Sequence, residues 1–387
     1  MAIQNFEYCN PTRIVFGQDT ISRLDDLIPK GAYVLITIGG GSVRRTGTLS
    51  EVEKALGDRK FSVFEGIEAN PTYETLMKAV ERIRQEKFTF ILGVGGGSVM
   101  DGTKFIAAAV HFNGDPWNIV LQKGSNIQSV IPFGFVLTLP ATGSEMNYYA
   151  VISRKETKDK IGIASDFLYP IFSILDPTKT YSLPSHQVAN GIADAFVHVI
   201  EQYLTYPSHA DVQDRFSESL LLTLIEEGPK TLAYPNDYTS RANFVWAATL
   251  ALNGLIATGV AQDWATHIIG HEMTVLYGID HGRTLSIILP SLLHIMRESK
   301  KDKLLQYAHR IWNIHYDDQE KTIDEAIHRT RQFFESLGIK THLRDYNLDE
   351  KAIDEIIDQL HRHNLTALGE RQNITLEISR KILQASL

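Results

Sequence analysis

Phe88-Thr-Phe-Ile-Leu-Gly-Val94 runs directly into Gly95-Gly-Gly-Ser98-Val-Met-Asp101-Gly-Thr-Lys104-Phe-Ile-Ala. A short apolar run that breaks into three glycines and then resumes with small and apolar residues reads as a strand, a tight turn and an opening helix. Glycines at such a turn let a diphosphate approach the backbone N–H groups of the helix N-terminus, where the dipole favours negative charge. Two known loops come close. Gly97 to Gly102 has the Walker spacing, but Thr103-Lys104 follows where Lys-Thr is required, so the lysine is misplaced for a γ-phosphate. Gly93-Val-Gly-Gly-Gly-Ser98 approaches the dinucleotide fingerprint and ends in Ser98 in place of its last glycine. A plain strand-to-helix turn would carry the same glycines.

Working outward, the same alternation continues on both sides. Arg13–Phe16, Tyr33–Ile38, Phe135–Leu139 and Ile171–Leu175 are further short β-branched or aromatic runs. Between them, Tyr73–Glu86 places Leu76, Met77, Val80 and Ile83 at helical spacing with basic residues opposite. Strands alternating with amphipathic helices predict a parallel α/β sheet. Two more loops follow strands of this sheet. Thr138-Leu-Pro-Ala-Thr142-Gly-Ser-Glu145 offers hydroxyls and backbone donors suited to a pyrophosphate. Gly39-Gly-Gly-Ser42-Val-Arg44-Arg45 stands where an NAD site would place an acid for the adenosine ribose; here the position is Gly39, and two arginines lie close by. The predicted cofactor-binding residues are Gly39, Gly40, Gly41, Ser42, Arg44, Arg45, Gly95, Gly96, Gly97, Ser98, Asp101, Thr138, Thr142 and Lys160.

The pattern changes at Asp176-Pro177-Thr-Lys-Thr-Tyr-Ser-Leu-Pro184, after which long helical patterns dominate. The expected division is a dinucleotide-binding α/β domain over 1–180 and a helical, metal-binding domain over 181–387, with helices near 186–205, 209–231, 239–257, 261–277, 283–297, 300–312 and 320–337. Asp194 and His198 are four apart in a helical segment, so both project from one face and can share an ion. His267 and His281 flank Gly278, which is placed to end a helix and let the chain return. His271, four residues after His267, is equally a ligand by spacing. A zincin motif is excluded, because Val275 stands where its second histidine belongs.

The 387 residues suit two domains of ordinary size. A net charge of -8 argues against a nucleic-acid partner. The single Cys9 allows no internal disulfide, and the first residues carry no secretory pattern, so a cytoplasmic location is expected. Residues 242–262 carry no formal charge, but Asn243, Thr249, Asn253 and Thr258 suit a buried helix better than a membrane span.

Pro11-Thr-Arg-Ile-Val-Phe-Gly17, the Gly95–Lys104 loop, the Thr138–Glu145 loop and Asp263-Trp-Ala-Thr-His267 together resemble the iron-containing alcohol dehydrogenase family, in particular its NADPH-dependent butanol dehydrogenase and broad-range aldehyde reductase branch. The resemblance runs nearly end to end. It implies a dehydroquinate synthase-like fold, with an α/β nucleotide-binding domain followed by an all-α domain. It further implies metal binding by Asp194, His198, His267 and His281, with His271 a nearby catalytic residue outside the ligand set. After Glu145 this chain carries Met-Asn-Tyr-Tyr-Ala-Val-Ile152 where related reductases often have small residues, so Tyr149 is expected to line the substrate pocket.

The implied activity is hydride transfer between NADP(H) and small aldehydes or primary alcohols, assisted by one divalent metal, zinc or iron, in a homodimer. A lyase of the dehydroquinate synthase type would share fold, NAD and metal, but needs converging Arg and Lys around the metal, and the ligand-bearing segments carry few. A non-catalytic NADP-binding redox sensor would keep the glycine loops and have no use for four metal ligands.

Overall fold

The computed structural model describes residues 2–387. The chain forms two compact units: Cys9–Leu183 with Asn236–Thr249, and Met1–Tyr8 with Pro184–Pro235 and Leu250–Leu387. The sequence-based division at 180/181 compares with a change of unit after Leu183. Two segments lie outside that simple split. The first residues belong with the helical unit, where the Gln4 N–H donates to Gly259 O at 2.9 Å. Residues 236–249 belong with the α/β unit, where Val245 is part of the sheet's apolar core.

The α/β unit is built on a six-stranded sheet of β1 (Arg13–Phe16), β2 (Val34–Ile38), β3 (Phe61–Glu65), β4 (Phe90–Gly96), β5 (Phe133–Leu139) and β8 (Phe172–Leu175). Its order is β1-β8-β5-β4-β2-β3, and every pairing is parallel. Alternation along each strand feeds two cores. Leu35, Ile91 and Phe135 join Leu76, Val80 and Ile83 of the Tyr73–Glu86 helix. Val34, Ile36, Phe90, Leu92 and Val94 join Leu49, Val52 and Leu56 of the Thr48–Leu56 helix. Between β5 and β8 an antiparallel hairpin, β6 (Tyr149–Arg154) and β7 (Asp159–Ala164), forms a separate sheet.

The helical unit is organised around Ser185–Tyr203, which is buried almost continuously from Val188 onward. Asp211–Ala233, Ala265–Tyr277 and His281–Ile295 are its neighbours in the same unit. The helix expected at 239–257 ends at Ala251, and that expected from 261 starts at Ala265. Gly254 (φ 91°) and Gly259 (φ 69°) turn the intervening chain through left-handed conformations that a helix cannot contain. Among the described residues, no helix is long and apolar enough to cross a membrane.

Candidate metal and nucleotide sites

Three helices of one unit deliver the metal-ligating candidates. Ser185–Tyr203 carries Asp194 and His198 one turn apart. Ala265–Tyr277 carries His267 and ends at Gly278, whose φ of 67° confirms the expected C-cap. His281 opens His281–Ile295. Glycines set the approach of these helices. A Cβ on Gly282 would meet the Asn190 carbonyl oxygen at 2.4 Å, and one on Gly270 would meet Thr284 Oγ1 at 2.9 Å. Only glycine lets the backbones come this close, and that closeness carries the side chains into one cluster.

The Nε2 atoms of His198, His267 and His281 lie 3.7, 3.6 and 3.8 Å from Asp194 Oδ1. Those separations exceed a hydrogen bond. They approach the edge, about 3.4 Å, of a tetrahedron with metal–ligand bonds of about 2.1 Å. Ligand atoms of Asp194, His267 and His281 all fall within 4.8 Å of one another. Asp194 Oδ1 and His267 Nε2 are buried and have no hydrogen-bonding partner among the described residues. Buried polar atoms are rarely left so, and a cation between them would satisfy both. The donor set therefore fits one divalent ion; imidazole and carboxylate suit zinc or ferrous iron.

Burial pushes the Asp194 carboxyl up, but the three imidazoles outweigh it and hold the group well below the usual carboxylate range. Burial pushes His267 down, while Glu201 and Asp194 raise it to about 9. Glu201 is the residue that sequence reading passes over. It sits on the Asp194/His198 helix at i+7 and i+3, its Oε2 is bonded to His267 Nδ1, and its Oε1 accepts from the Thr266 N–H at 2.6 Å. The spacing along the helix is legible; the partner 66 residues away is not. Asp263 caps the start of the His267 helix through Ala265 N–H (3.1 Å) and is held by Lys300 at 2.9 Å. Trp264 adopts φ 63° and lies edge-on to His267, 5.4 Å between ring centroids. His271 stands one turn beyond His267, its ring 4.8 Å from that of His281.

The loops expected to bind nucleotide all belong to the other unit. Gly95, Gly96 and Gly97 lie at the junction of β4 with the Gly97–Ala109 helix. A Cβ on Gly96 would meet Leu139 Cβ at 2.8 Å, and one on Gly97 would meet Thr142 Oγ1 at 2.6 Å. These glycines bring the first loop against Thr138–Thr142, the stretch in which β5 ends. Ser98 Oγ accepts from the Asn70 N–H at 3.3 Å. Asp101 directs its oxygens inward, to Ser144 Oγ (2.7 Å) and the Val151 N–H (2.9 Å). The near-Walker Lys104 is fully buried and donates to Asn147 O (2.9 Å), Asn147 Oδ1 (3.0 Å) and Tyr149 O (2.7 Å). That explains why its position does not match a phosphate-binding lysine. Lys160 lies on β7 opposite Ser153, half-buried. Tyr149 is half-buried, stacked on Tyr148 with 4.3 Å between centroids and its hydroxyl 3.0 Å from the Tyr148 hydroxyl. Beyond β2, Gly39, Gly40 and Gly41 lead to exposed Ser42, Arg44 and Arg45, and Arg44 Nε donates to Glu65 Oε2 at 2.9 Å.

Comparison with known proteins identifies the family. Residues 11–177 match the family described as iron-containing alcohol dehydrogenase, and residues 188–387 match the C-terminal part of the Fe-containing alcohol dehydrogenase family. The chain is 55% identical over 386 residues to the NADPH-dependent aldehyde reductase YqhD of Escherichia coli, covering 99% of this chain and 100% of that protein. It is 40% identical over 359 residues to NADH-dependent butanol dehydrogenase B of Clostridium acetobutylicum, covering 90% and 91%. The crystal structure of E. coli YqhD superposes with a TM-score of 0.98 at 55% identity, covering both chains completely. The chain belongs to the iron-containing alcohol dehydrogenase family, with that family's fold of a parallel-sheet α/β unit followed by helices.

Proposed function

We propose that this protein is a metal-dependent aldehyde reductase and alcohol dehydrogenase that transfers a hydride between NADP(H) and small aldehydes or primary alcohols. The observation that carries the reading is the convergence of three imidazole nitrogens on one buried carboxylate oxygen, in a chain of this family. Asp194, His198, His267 and His281 would hold a divalent ion, which would supply positive charge to stabilise negative charge developing on a carbonyl oxygen. Carbonyl reduction needs a hydride, which NADPH would supply when bound, and a proton for the oxygen. Glu201 fixes the His267 ring with Nε2 turned toward Asp194 Oδ1, where it would meet the ion. His271, beside His281 and outside the carboxylate's shell of three imidazoles, is assigned the relay of that proton.

On the nucleotide side, we assign the diphosphate to the paired Gly95–Ser98 and Thr138–Thr142 loops, at the N-terminus of a long helix. The Gly39–Arg45 loop is assigned to the adenosine 2′-phosphate: it has no carboxylate at 39 and carries two arginines. The name of the 55% identical relative supports NADPH. We further propose a cytoplasmic homodimer; the lone, exposed Cys9 suits a reducing compartment, and β1 is a sheet edge with Phe16 exposed, available to a second copy. Steady-state assays of an aldehyde and alcohol panel with NADPH and NADH, on protein of measured metal content, test the reading. Metal-dependent oxidation of NADPH by short aldehydes is expected; no turnover with any carbonyl by metal-loaded protein overturns it.

A further inference from the structure

The 2′-phosphate loop has a carboxylate after all, supplied by the neighbouring strand. β3 ends at Glu65, in register with Ile38, the last residue of β2. The turn behind it is tied down by the Gly66 N–H, 3.2 Å from both Ile38 O and Gly39 O. This brings Glu65 over the glycines: its Oε1 lies 2.8 Å from where a Cβ on Gly41 would stand, and Arg45 Nη1 lies 3.8 Å from that point. Its other oxygen takes the Arg44 Nε hydrogen at 2.9 Å, and both side chains remain nearly half exposed. Gly41, with φ 82°, is glycine for its backbone and also for this contact.

We propose that Glu65 limits the preference for NADPH, by holding Arg44 away from a 2′-phosphate and by placing negative charge beside it. The proposal rests on the assignment of the Gly39–Arg45 loop to the 2′-phosphate. A dianionic phosphate must exchange with Glu65 for Arg44, and the displaced carboxylate then repels it. The ribose of NADH carries hydroxyls instead, which can donate to the same carboxylate. An exposed ion pair is weak, so a phosphate with twice the charge can win the exchange, but at a loss in affinity. Glu65 therefore narrows the gap between the two cofactors.

The test is the dissociation constant of NADPH, NADH, 2′,5′-ADP and AMP, read by nucleotide fluorescence or calorimetry. It is run on the metal-loaded wild type, Glu65→Gln, Arg44→Ala and the double variant. Glu65→Gln should tighten NADPH and 2′,5′-ADP about three- to tenfold while leaving NADH and AMP unchanged or weaker. The gain should shrink in the Arg44→Ala background and at high salt. Equal changes for both cofactors, or weaker NADPH binding by Glu65→Gln, overturn the proposal while leaving the loop assignment standing. Failure of both wild type and Glu65→Gln to prefer 2′,5′-ADP over AMP overturns the loop assignment itself, and the proposal with it.

Discussion

The backbone at Gly282 packs so closely against Asn190 that a single added methyl would sit 2.4 Å from the Asn190 carbonyl oxygen. Gly282 adjoins His281, and Asn190 lies one turn before Asp194 on the same helix. The contact thus sets the separation of Asp194 and His281, two of the proposed metal ligands. Gly282→Ala should cost about 1–3 kcal/mol through overpacking and lower metal affinity by at least about tenfold. Thermal unfolding and metal titration of the purified variant check both effects; a variant with wild-type metal affinity would show that the contact does not set the ligand geometry.

Glu201→Gln keeps the size of the side chain and replaces one acceptor oxygen with a donor. The amide can still accept from the Thr266 N–H, but its NH2 group then faces His267 Nδ1 and favours the tautomer whose proton lies on Nε2, the atom proposed to bind metal. Metal affinity should fall about 10- to 100-fold with little loss of folded protein. Metal binding measured by competition with a chelator distinguishes this from a structural effect, because a structural effect would lower the unfolding temperature in the chelated protein as well.

Much of this architecture is legible in the sequence. The Tyr73–Glu86 helix stands where pattern places it, because it satisfies its period within one local segment; the strand read at Phe88–Val94 forms two residues later, at Phe90–Gly96, taking in Gly95 and Gly96 before the helix opens at Gly97. The β6–β7 hairpin does not announce itself. Tyr149–Arg154 and Asp159–Ala164 are short and flank the charged stretch Lys155–Lys158, and they bury Ala150, Ile152 and Ile163 in a core assembled from distant segments. Glu65 and Glu201 escape for a similar reason. Each looks like an ordinary surface acid in its own segment, and its role comes from Arg44 across the sheet edge or from His267 on another helix. Asp101 illustrates the converse: its sequence position suggests a cofactor contact, yet it lies within the Gly97–Ala109 helix and its oxygens serve Ser144 and Val151.

His271→Ala should keep stoichiometric metal and lower kcat by about 10- to 1000-fold, since it borders His281 and supplies a proton in the proposed scheme. Metal content and the pH profile of kcat check this together. Loss of metal would make His271 a ligand, the alternative its spacing permits.

Gly39→Asp tests the cofactor loop from its backbone side. A Cβ there lies 3.3 Å from Ile67 O and 3.6 Å from Val99 Cγ2, tight but within a small adjustment. The new carboxylate should repel a 2′-phosphate and accept from ribose hydroxyls, cutting a wild-type NADPH preference on the order of a hundredfold toward parity. The ratio of kcat/KM for NADPH and NADH reads the change directly; an unmoved ratio would place the 2′-phosphate elsewhere.

The most direct test of the account is metal content measured with NADPH-dependent reduction of a short aldehyde, in wild type and Asp194→Ala. The wild type should hold one divalent ion per chain, lose activity on chelation and recover it on reloading. Asp194→Ala should hold no ion and reduce no aldehyde while still binding NADPH, since its nucleotide loops belong to the other unit. Full aldehyde reduction by the metal-free variant would contradict the account.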